Sequence, residues 1–241
     1  MPTRVIPRVI VFALAVVCAA AAESRDPRKT LDEMITALGG KAFLEVREIH
    51  NQGRYYSFYR GQLDGGDVFT DYIRFPDSER TELGPPRYRS VTINNGGYGW
   101  GIQGDSKWEQ SDTELADFYA SFGTSYEYVT RFVLADPDIA FVDLGLETVD
   151  FKRANVIEFR DTDKNRLRYY IERDTHLPLK LQVRLANDTL VREEAYSNWH
   201  NFDGVFTPMF VARYRDGVKV MEIRLESVRY NAGLPDSLFA P

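Results

Sequence analysis

Leu179-Lys180-Leu181-Gln182-Val183-Arg184-Leu185 alternates one apolar side chain with one polar side chain, and Met221-Glu222-Ile223-Arg224-Leu225-Glu226 repeats the pattern. A period of two places every apolar residue on one face of an extended strand and leaves the other face to water. Turn signals bracket these runs: Asp161 to Asn165, Asp174 to Pro178, Asp203-Gly204 and Asp216-Gly217. Connections this short join antiparallel neighbours, so the C-terminal half reads as a meander.

The same texture begins much earlier. Residues 52–60 are strand-like, with Tyr55, Tyr56, Phe58 and Tyr59. Gly65-Gly66 is expected at a turn, residues 68–75 form another strand, and Pro76-Asp77 breaks the chain. Asn94-Asn95-Gly96-Gly97 is a strong hairpin signal. The whole pattern predicts about ten strands.

Two segments depart from it. Asp26 can cap a helix whose first position is Pro27, whose face carries Leu31, Met34, Ile35 and Leu38, and whose end is Gly39-Gly40. Residues 41–46 add another turn. Further on, Ser111 followed by Glu114 forms a capping box, in which each side chain satisfies a free backbone amide of the other. Leu115, Phe118, Tyr119, Phe122, Tyr126, Val129, Phe132 and Val133 then recur at three- and four-residue steps. That predicts an amphipathic helix of about six turns, with Gly123 as a possible bend and an end near Asp136-Pro137.

A sheet with one apolar face must cover that face. The expected fold is therefore α+β: a strongly curved antiparallel sheet forming an incomplete β-barrel, with helices packed into its concave face as a lid.

The chain starts with a basic segment (Arg4, Arg8) and an uncharged run over residues 9–22, ending in Ala20-Ala21-Ala22. This reads as a secretory signal peptide, residues 1–22, cleaved near Ala22 and leaving one domain over residues 23–241. At about 14 residues the run falls short of the ~20 a transmembrane helix needs, so no membrane span is expected in the mature chain. Cys18 is the single cysteine, and Val16-Val17 before it do not fit a lipidation signal. A mature chain without cysteine has no disulfide, thiol nucleophile or thiolate metal site. Losing the leader takes the basic residues from 30 to 28 against 36 acidic ones, a formal charge of −8. That sign argues against nucleic acid as a partner.

Chemistry-bearing motifs are sparse. His50, His176 and His200 fall at no metal-ligand spacing, and no Gly-x-Ser-x-Gly is present. Glu193-Glu194 point to opposite strand faces. The glycine-rich run 96–104 lacks the strand–loop–helix context and the lysine of a nucleotide loop. No catalytic residue, cofactor or metal site is expected. The richest feature is the aromatic helix, and the expected lining of an apolar ligand cavity is Tyr56, Phe58, Trp100, Leu115, Phe118, Phe122, Tyr126, Val129, Leu181 and Val183.

Several stretches resemble periplasmic proteins of the outer-membrane lipoprotein carrier (LolA-like) superfamily. They are Ala37-Leu38-Gly39-Gly40 after the short capped helix and the strand end Tyr72-Ile73-Arg74-Phe75-Pro76-Asp77. Further on come Tyr170-Ile171-Glu172-Arg173-Asp174-Thr175-His176-Leu177-Pro178, Tyr196-Ser197-Asn198-Trp199 and Phe202-Asp203-Gly204-Val205-Phe206-Thr207-Pro208. The last are Val228-Arg229-Tyr230-Asn231 and Leu234-Pro235-Asp236-Ser237-Leu238-Phe239.

The resemblance implies an open antiparallel barrel with a helical lid over a hydrophobic cavity. It also implies periplasmic lipoprotein sorting, in which acyl chains pass from an inner-membrane transporter to an outer-membrane receptor. The expected function is a carrier or binding protein for lipoprotein acyl chains or another lipid. The competing readings are a non-catalytic envelope interaction or sensor module with a closed core, motivated by Trp100 and Trp108, and a hydrolase resting on His50 and His200.

Overall fold

A computed structural model describes residues 26–241, so the expected leader and the expected cleavage near Ala22 lie outside the described residues. Thirteen strands form one antiparallel sheet: β1 (Glu48–Tyr59), β2 (Gln62–Arg74), β3 (Ser78–Leu83), β4 (Ser90–Asn95), β5 (Tyr98–Gln103), β6 (Ser106–Glu109), β7 (Phe141–Val149), β8 (Lys152–Arg160), β9 (Arg166–Glu172), β10 (Pro178–Arg184), β11 (Val191–Phe202), β12 (Val205–Arg215) and β13 (Val218–Tyr230). Their order across the sheet is β6-β5-β4-β3-β2-β1-β13-β12-β11-β10-β9-β8-β7. The sheet is not closed, and its helices pack on one face, as expected of a curved half-barrel.

This order is two meanders, β1 to β6 and β7 to β13, joined where β1 pairs with β13. One consequence decides the architecture. β6 and β7 are the two free edges of the sheet, yet they are consecutive in the chain. The link between them, residues 110–140, must therefore travel from edge to edge, and it crosses the concave side.

The expected helices start where the capping chemistry put them. Helix α1 (Pro27–Leu38) begins with the Asp26 carboxylate accepting from the Arg28 amide at 2.9 Å. It buries Thr30, Leu31, Met34 and Leu38. It stops at Gly39, whose φ of 125° suits glycine and whose missing side chain lets the helix end sit against Gly204; a Cβ there would lie 2.2 Å from the Gly204 carbonyl oxygen. Helix α2 (Lys41–Leu44) follows and buries Phe43.

Three sequence expectations change. The strand count is thirteen rather than about ten, because β4 to β6 are only four to six residues long and carry too little alternation to separate. Gly65-Gly66 is not a turn: it lies inside β2, and the turn is at Arg60-Gly61, both with positive φ. Gly66 is needed for close approach instead, since a Cβ there would meet Tyr55 O and the Tyr56 ring at 2.8 Å.

The six-turn helix is two pieces. Helix α3 (Asp112–Phe122) starts on the expected capping box, with Ser111 N donating to Glu114 Oε2 at 2.8 Å and Glu114 N to Ser111 Oγ at 3.3 Å. It ends at Gly123, and Thr124 Oγ1 turns back to donate to the Ala120 carbonyl at 2.6 Å. Helix α4 (Tyr126–Tyr128) restarts on its own cap, Ser125, and runs into a π-turn over Val129–Val133.

The main core lies on the concave side, where Leu31, Met34 and Leu38 meet Ile157, Leu167, Tyr169, Ile171 and Val129. The convex side has its own covering. Ala154, Val156, Tyr170 and Leu179 form a small second cluster. The C-terminal 3-10 turn, Asp236–Phe239, lies across β3 and β4, with the Arg74 guanidinium 4.7 Å above the Phe239 ring and hydrogen-bonded to Asp236 and the Leu234 carbonyl.

Candidate functional site: a cavity under a two-part strap

The edge-to-edge link is held very differently along its length. In the α4–π segment Tyr126, Val129, Thr130, Arg131 and Leu134 are buried. Arg131 ties it down: Nε donates to the Phe43 carbonyl at 2.9 Å, Nη1 to the Glu127 carbonyl at 2.9 Å, and the guanidinium lies 3.9 Å from the Phe43 ring centre. Thr130 Oγ1 and Tyr169 Oη share a hydrogen bond of 2.8 Å inside the core.

In α3 the one buried residue is Phe122. Phe118 packs on Phe122 with ring centres 5.4 Å apart, and Phe122 on Phe75 at 5.8 Å. At the other end of the sheet's concave face the strands offer glycines. A Cβ on Gly99 would come within 2.8 Å of a Leu115 methyl, and one on Gly101 within 2.3 Å of the Trp108 ring. The helix start is thus seated by the missing side chain of Gly99, while Gly101 makes room for Trp108 of the edge strand β6. A further tie runs from the Gly97 amide to Tyr119 Oη, 2.8 Å.

Around this half-seated helix lie three spaces. An inner cavity of about 160 Å³ sits between the helices and the sheet, lined by Ile49, Phe75, Phe118, Phe122, Tyr126 and Val228 among others. A groove of about 430 Å³ on the β10–β13 side is lined by Phe58, Leu181, Val183, Tyr214 and Met221. A wide mouth of about 1010 Å³ opens on the other side, floored by Tyr119, Phe122, Tyr128, Phe132 and Ile139. Phe122 belongs to both the mouth and the inner cavity, and Ser121 to both the groove and the inner cavity.

Of the ten residues expected to line a cavity, the structure brings Phe118, Phe122 and Tyr126 into the inner one and Phe58, Leu181 and Val183 into the groove. The remaining four lie elsewhere. Val129 is fully buried in the core, and Leu115 sits over Gly99. Tyr56 is under the Arg224 guanidinium at 5.2 Å, beside Phe210, and Trp100 stacks on Tyr98 at 6.1 Å.

What sequence reasoning missed is the polar part of the inner cavity: Asp71, Glu79, Glu127, Glu194 and Arg213. Each keeps some exposed surface because it faces the cavity, yet all lie deep among the side chains of the concave face. Glu194 accepts from Arg213 Nε at 2.7 Å and from Tyr196 Oη at 2.9 Å. Asp71 accepts from Thr81 Oγ1 at 2.9 Å.

Burial pushes the Asp71 carboxyl up to about 6, against its hydrogen bond from Thr81. Burial, reinforced by the Asp71 charge, holds Glu79 well above its ordinary value. Glu127 is pushed up to about 7 by burial and the Glu194 charge, with Arg131 opposing. Glu79 is thus the protonated partner that donates to Asp71. A signal for this wall existed: Asp71 occupies the apolar phase of Phe69-x-Asp71-x-Ile73-x-Phe75, and Glu194 that of Glu194-x-Tyr196.

The histidines stand apart. His50 on β1 stacks on Tyr72 and meets Arg229 at 2.7 Å. His200 on β11 is exposed, with Asn198 at 3.1 Å, and His176 lies 3.5 Å from Glu33. Among the described residues no group of three His, Cys, Asp or Glu is placed to hold a metal ion, and no helix is long and apolar enough to cross a membrane.

No family model matches the chain, and no curated protein resembles it in sequence. Solved structures do share its shape. A DUF1329 family protein from Desulfovibrio piger superposes with a TM-score of 0.60 at 18% identity, over 89% of this chain and 98% of that one. A LolA superfamily protein from Nitrosomonas europaea gives 0.58 at 13% identity, over 90% and 99%. The fold is LolA-like. A domain assigned to outer-membrane lipoprotein sorting, from Vibrio parahaemolyticus, adds 0.57 at 14% identity over 89% and 97%. At these identities the likeness establishes the LolA-like fold alone.

Proposed function

We propose that this LolA-like protein is a non-catalytic carrier or binding protein of the bacterial periplasm that holds the acyl chain of a lipoprotein or another lipid beneath α3. The observation that carries the reading is a cavity with one apolar wall (Ile49, Phe75, Phe118, Phe122, Val211, Val228), roofed by a helix that buries one side chain, Phe122. Each methylene moved from water into such a space gains about 0.8 kcal/mol. A ligand entering from the mouth or the groove displaces α3 and leaves α4 in place. The residues proposed to touch it are Phe58, Phe118, Phe122, Tyr126, Leu181 and Val183. The resemblance between this fold and lipoprotein-sorting domains supports the cargo class, and partners in the inner and outer membranes follow from the same reading.

Native mass spectrometry of the mature protein purified from periplasm, with organic extraction of bound material, tests it. A discrete added mass that extracts as lipid is the expected result. A clean unliganded mass, with no uptake of added fatty amphiphile, overturns it.

A second reading, an envelope interaction module with a closed core, draws on a different surface. The edge strand β7 exposes Val142, Leu144 and Leu146, and Phe151 in the next turn is fully exposed. A stoichiometric protein partner recovered with no lipid favours that reading.

A further inference from the structure

We infer that the preferred ligand is a cationic amphiphile, an acyl or alkyl chain bearing an ammonium group, whose head is received by the Asp71–Glu79–Glu127–Glu194 wall of the inner cavity. This rests on the carrier reading and narrows it.

The wall is unbalanced in two ways. In charge, four carboxyl groups line the cavity, Glu79 being the protonated one, against one lining guanidinium, Arg213, which is spent on Glu194 at 2.7 Å. The guanidinium behind the wall, Arg131, is spent on the Phe43 and Glu127 carbonyls. In hydrogen bonding, acceptors exceed donors. Thr81 and the protonated Glu79 serve Asp71, Arg213 and Tyr196 serve Glu194, Tyr126 serves Glu127, and Thr207 Oγ1 and Tyr230 Oη satisfy each other at 2.5 Å. That leaves lone pairs on these carboxylates without donors. Asn51, also in the wall, has its Oδ1 shut away from water without any partner. A buried acceptor without a donor is unfavourable until a donor arrives. An ammonium head brings three donors and a positive charge. A carboxylate or phosphate head brings more acceptors and more negative charge.

A metal ion does not fit the same wall, since no three of these groups among the described residues are close enough to ligate one. An ammonium, recognised by separate hydrogen bonds across a cavity, needs no such convergence. The apolar remainder of the lining (Ile49, Phe75, Phe118, Phe122, Val211, Val228) suits the chain.

The mouth agrees independently. Asp77, Asp117, Asp136, Asp161, Asp163 and Asp188 border it, against Arg192, which is paired with Asp188 at 3.0 Å. A field of that sign concentrates cations and repels anionic heads before they reach the cavity. Binding of a cation also favours the ionised form of the facing carboxyls, so a proton is released on binding near neutral pH. The charged and titratable groups that meet there are Asp71 from β2, Glu79 from β3, Glu127 and Arg131 from the α4–π segment, Glu194 from β11, Arg213 from β12 and Tyr230 from β13.

The test is calorimetric titration of the mature protein with decylammonium, decanoate and decanol, three probes sharing one chain. Decylammonium is expected to bind at least about tenfold more tightly than decanoate, with decanol between them. In a variant carrying Asp71→Asn and Glu127→Gln the ratio of amine to alcohol affinity collapses toward one, and cooperative unfolding confirms that the variant is folded. Decanoate binding as tightly as decylammonium overturns the charge preference and leaves the carrier reading standing. A preference that persists in the folded double variant overturns the assignment to this wall. Failure of all three probes to bind takes the carrier reading down together with the inference.

Discussion

Residues 112–122 and 126–133 are neighbours in the chain and cross the same concave face, yet the first is laid on and the second is built in. The α4–π segment contributes Val129 at 0% exposure and Arg131 at 6%, with Arg131 hydrogen-bonded to two carbonyls between aromatic rings. Helix α3 is capped, amphipathic and well formed by local rules, but it contributes only Phe122 to the core. The difference teaches that helical propensity and tertiary anchoring are separate quantities. Capping and periodicity make α3 a helix, whereas the gap beneath it leaves it with few tertiary anchors, which is why we propose that it is the displaceable part. The break at Gly123-Thr124 separates the two halves, so that in the proposed carrier one half moves while the other stays.

The largest expected effect comes from removing the anchor. Arg131→Ala leaves the Phe43 and Glu127 carbonyls without their donor and vacates the stack on Phe43. About 3 kcal/mol of unfolding free energy should be lost. Urea denaturation measures it, and a loss below about 1 kcal/mol would erase the contrast between the two halves.

Next comes pH. The Glu127 carboxyl rises from 4.5 to about 7 in the folded protein. The folded state therefore binds its proton more tightly than the unfolded state does, and stability falls as pH rises through that window. Glu127→Gln removes the decline. At pH 8 the variant should exceed the wild type by roughly 3 kcal/mol, and at pH 4 the two should coincide. Denaturation midpoints across pH test this, and parallel curves would contradict it.

Smaller still, Phe118→Ala in α3 should lower stability by about 1 kcal/mol or less yet weaken decylammonium binding by about tenfold, because this ring faces the cavity more than the core. Tyr119→Phe should alter stability by no more than about 0.5 kcal/mol while speeding amide exchange at residues 112–122, since it cuts the tie to Gly97.

The fold was legible because its signals are local and repeated. The alternation around Leu181 and Ile223 faces the apolar side inward, and the turns at Asp203-Gly204 and Asp216-Gly217 join neighbours in the sheet. The Ser111–Glu114 box marked where α3 begins. The break in the strap was harder to read, because Gly123 alone does not show that Ser125 opens a second cap.

The site was legible only in its greasy part. Phe118, Phe122 and Tyr126 announce themselves by helical spacing. Asp71 and Glu194 sit in apolar phases of otherwise ordinary strands, and a single charged residue there is usually solvent-facing until the pairing of distant strands is known. Tyr56 and Phe58 show the limit from the other side. The register shift between Ser57 and Phe58 puts Phe58 in the groove while Tyr56 meets Arg224, and no property of either residue foretells that shift.

The central claim is that α3 is a displaceable roof and the α4–π segment a fixed one. Amide hydrogen exchange of the mature protein, followed separately over residues 112–122 and 126–133 with and without saturating decylammonium, tests it most directly. The account predicts fast exchange in the first segment that changes on binding, and slow exchange in the second that does not. Equal protection of the two segments, or a ligand effect confined to residues 126–133, would contradict it.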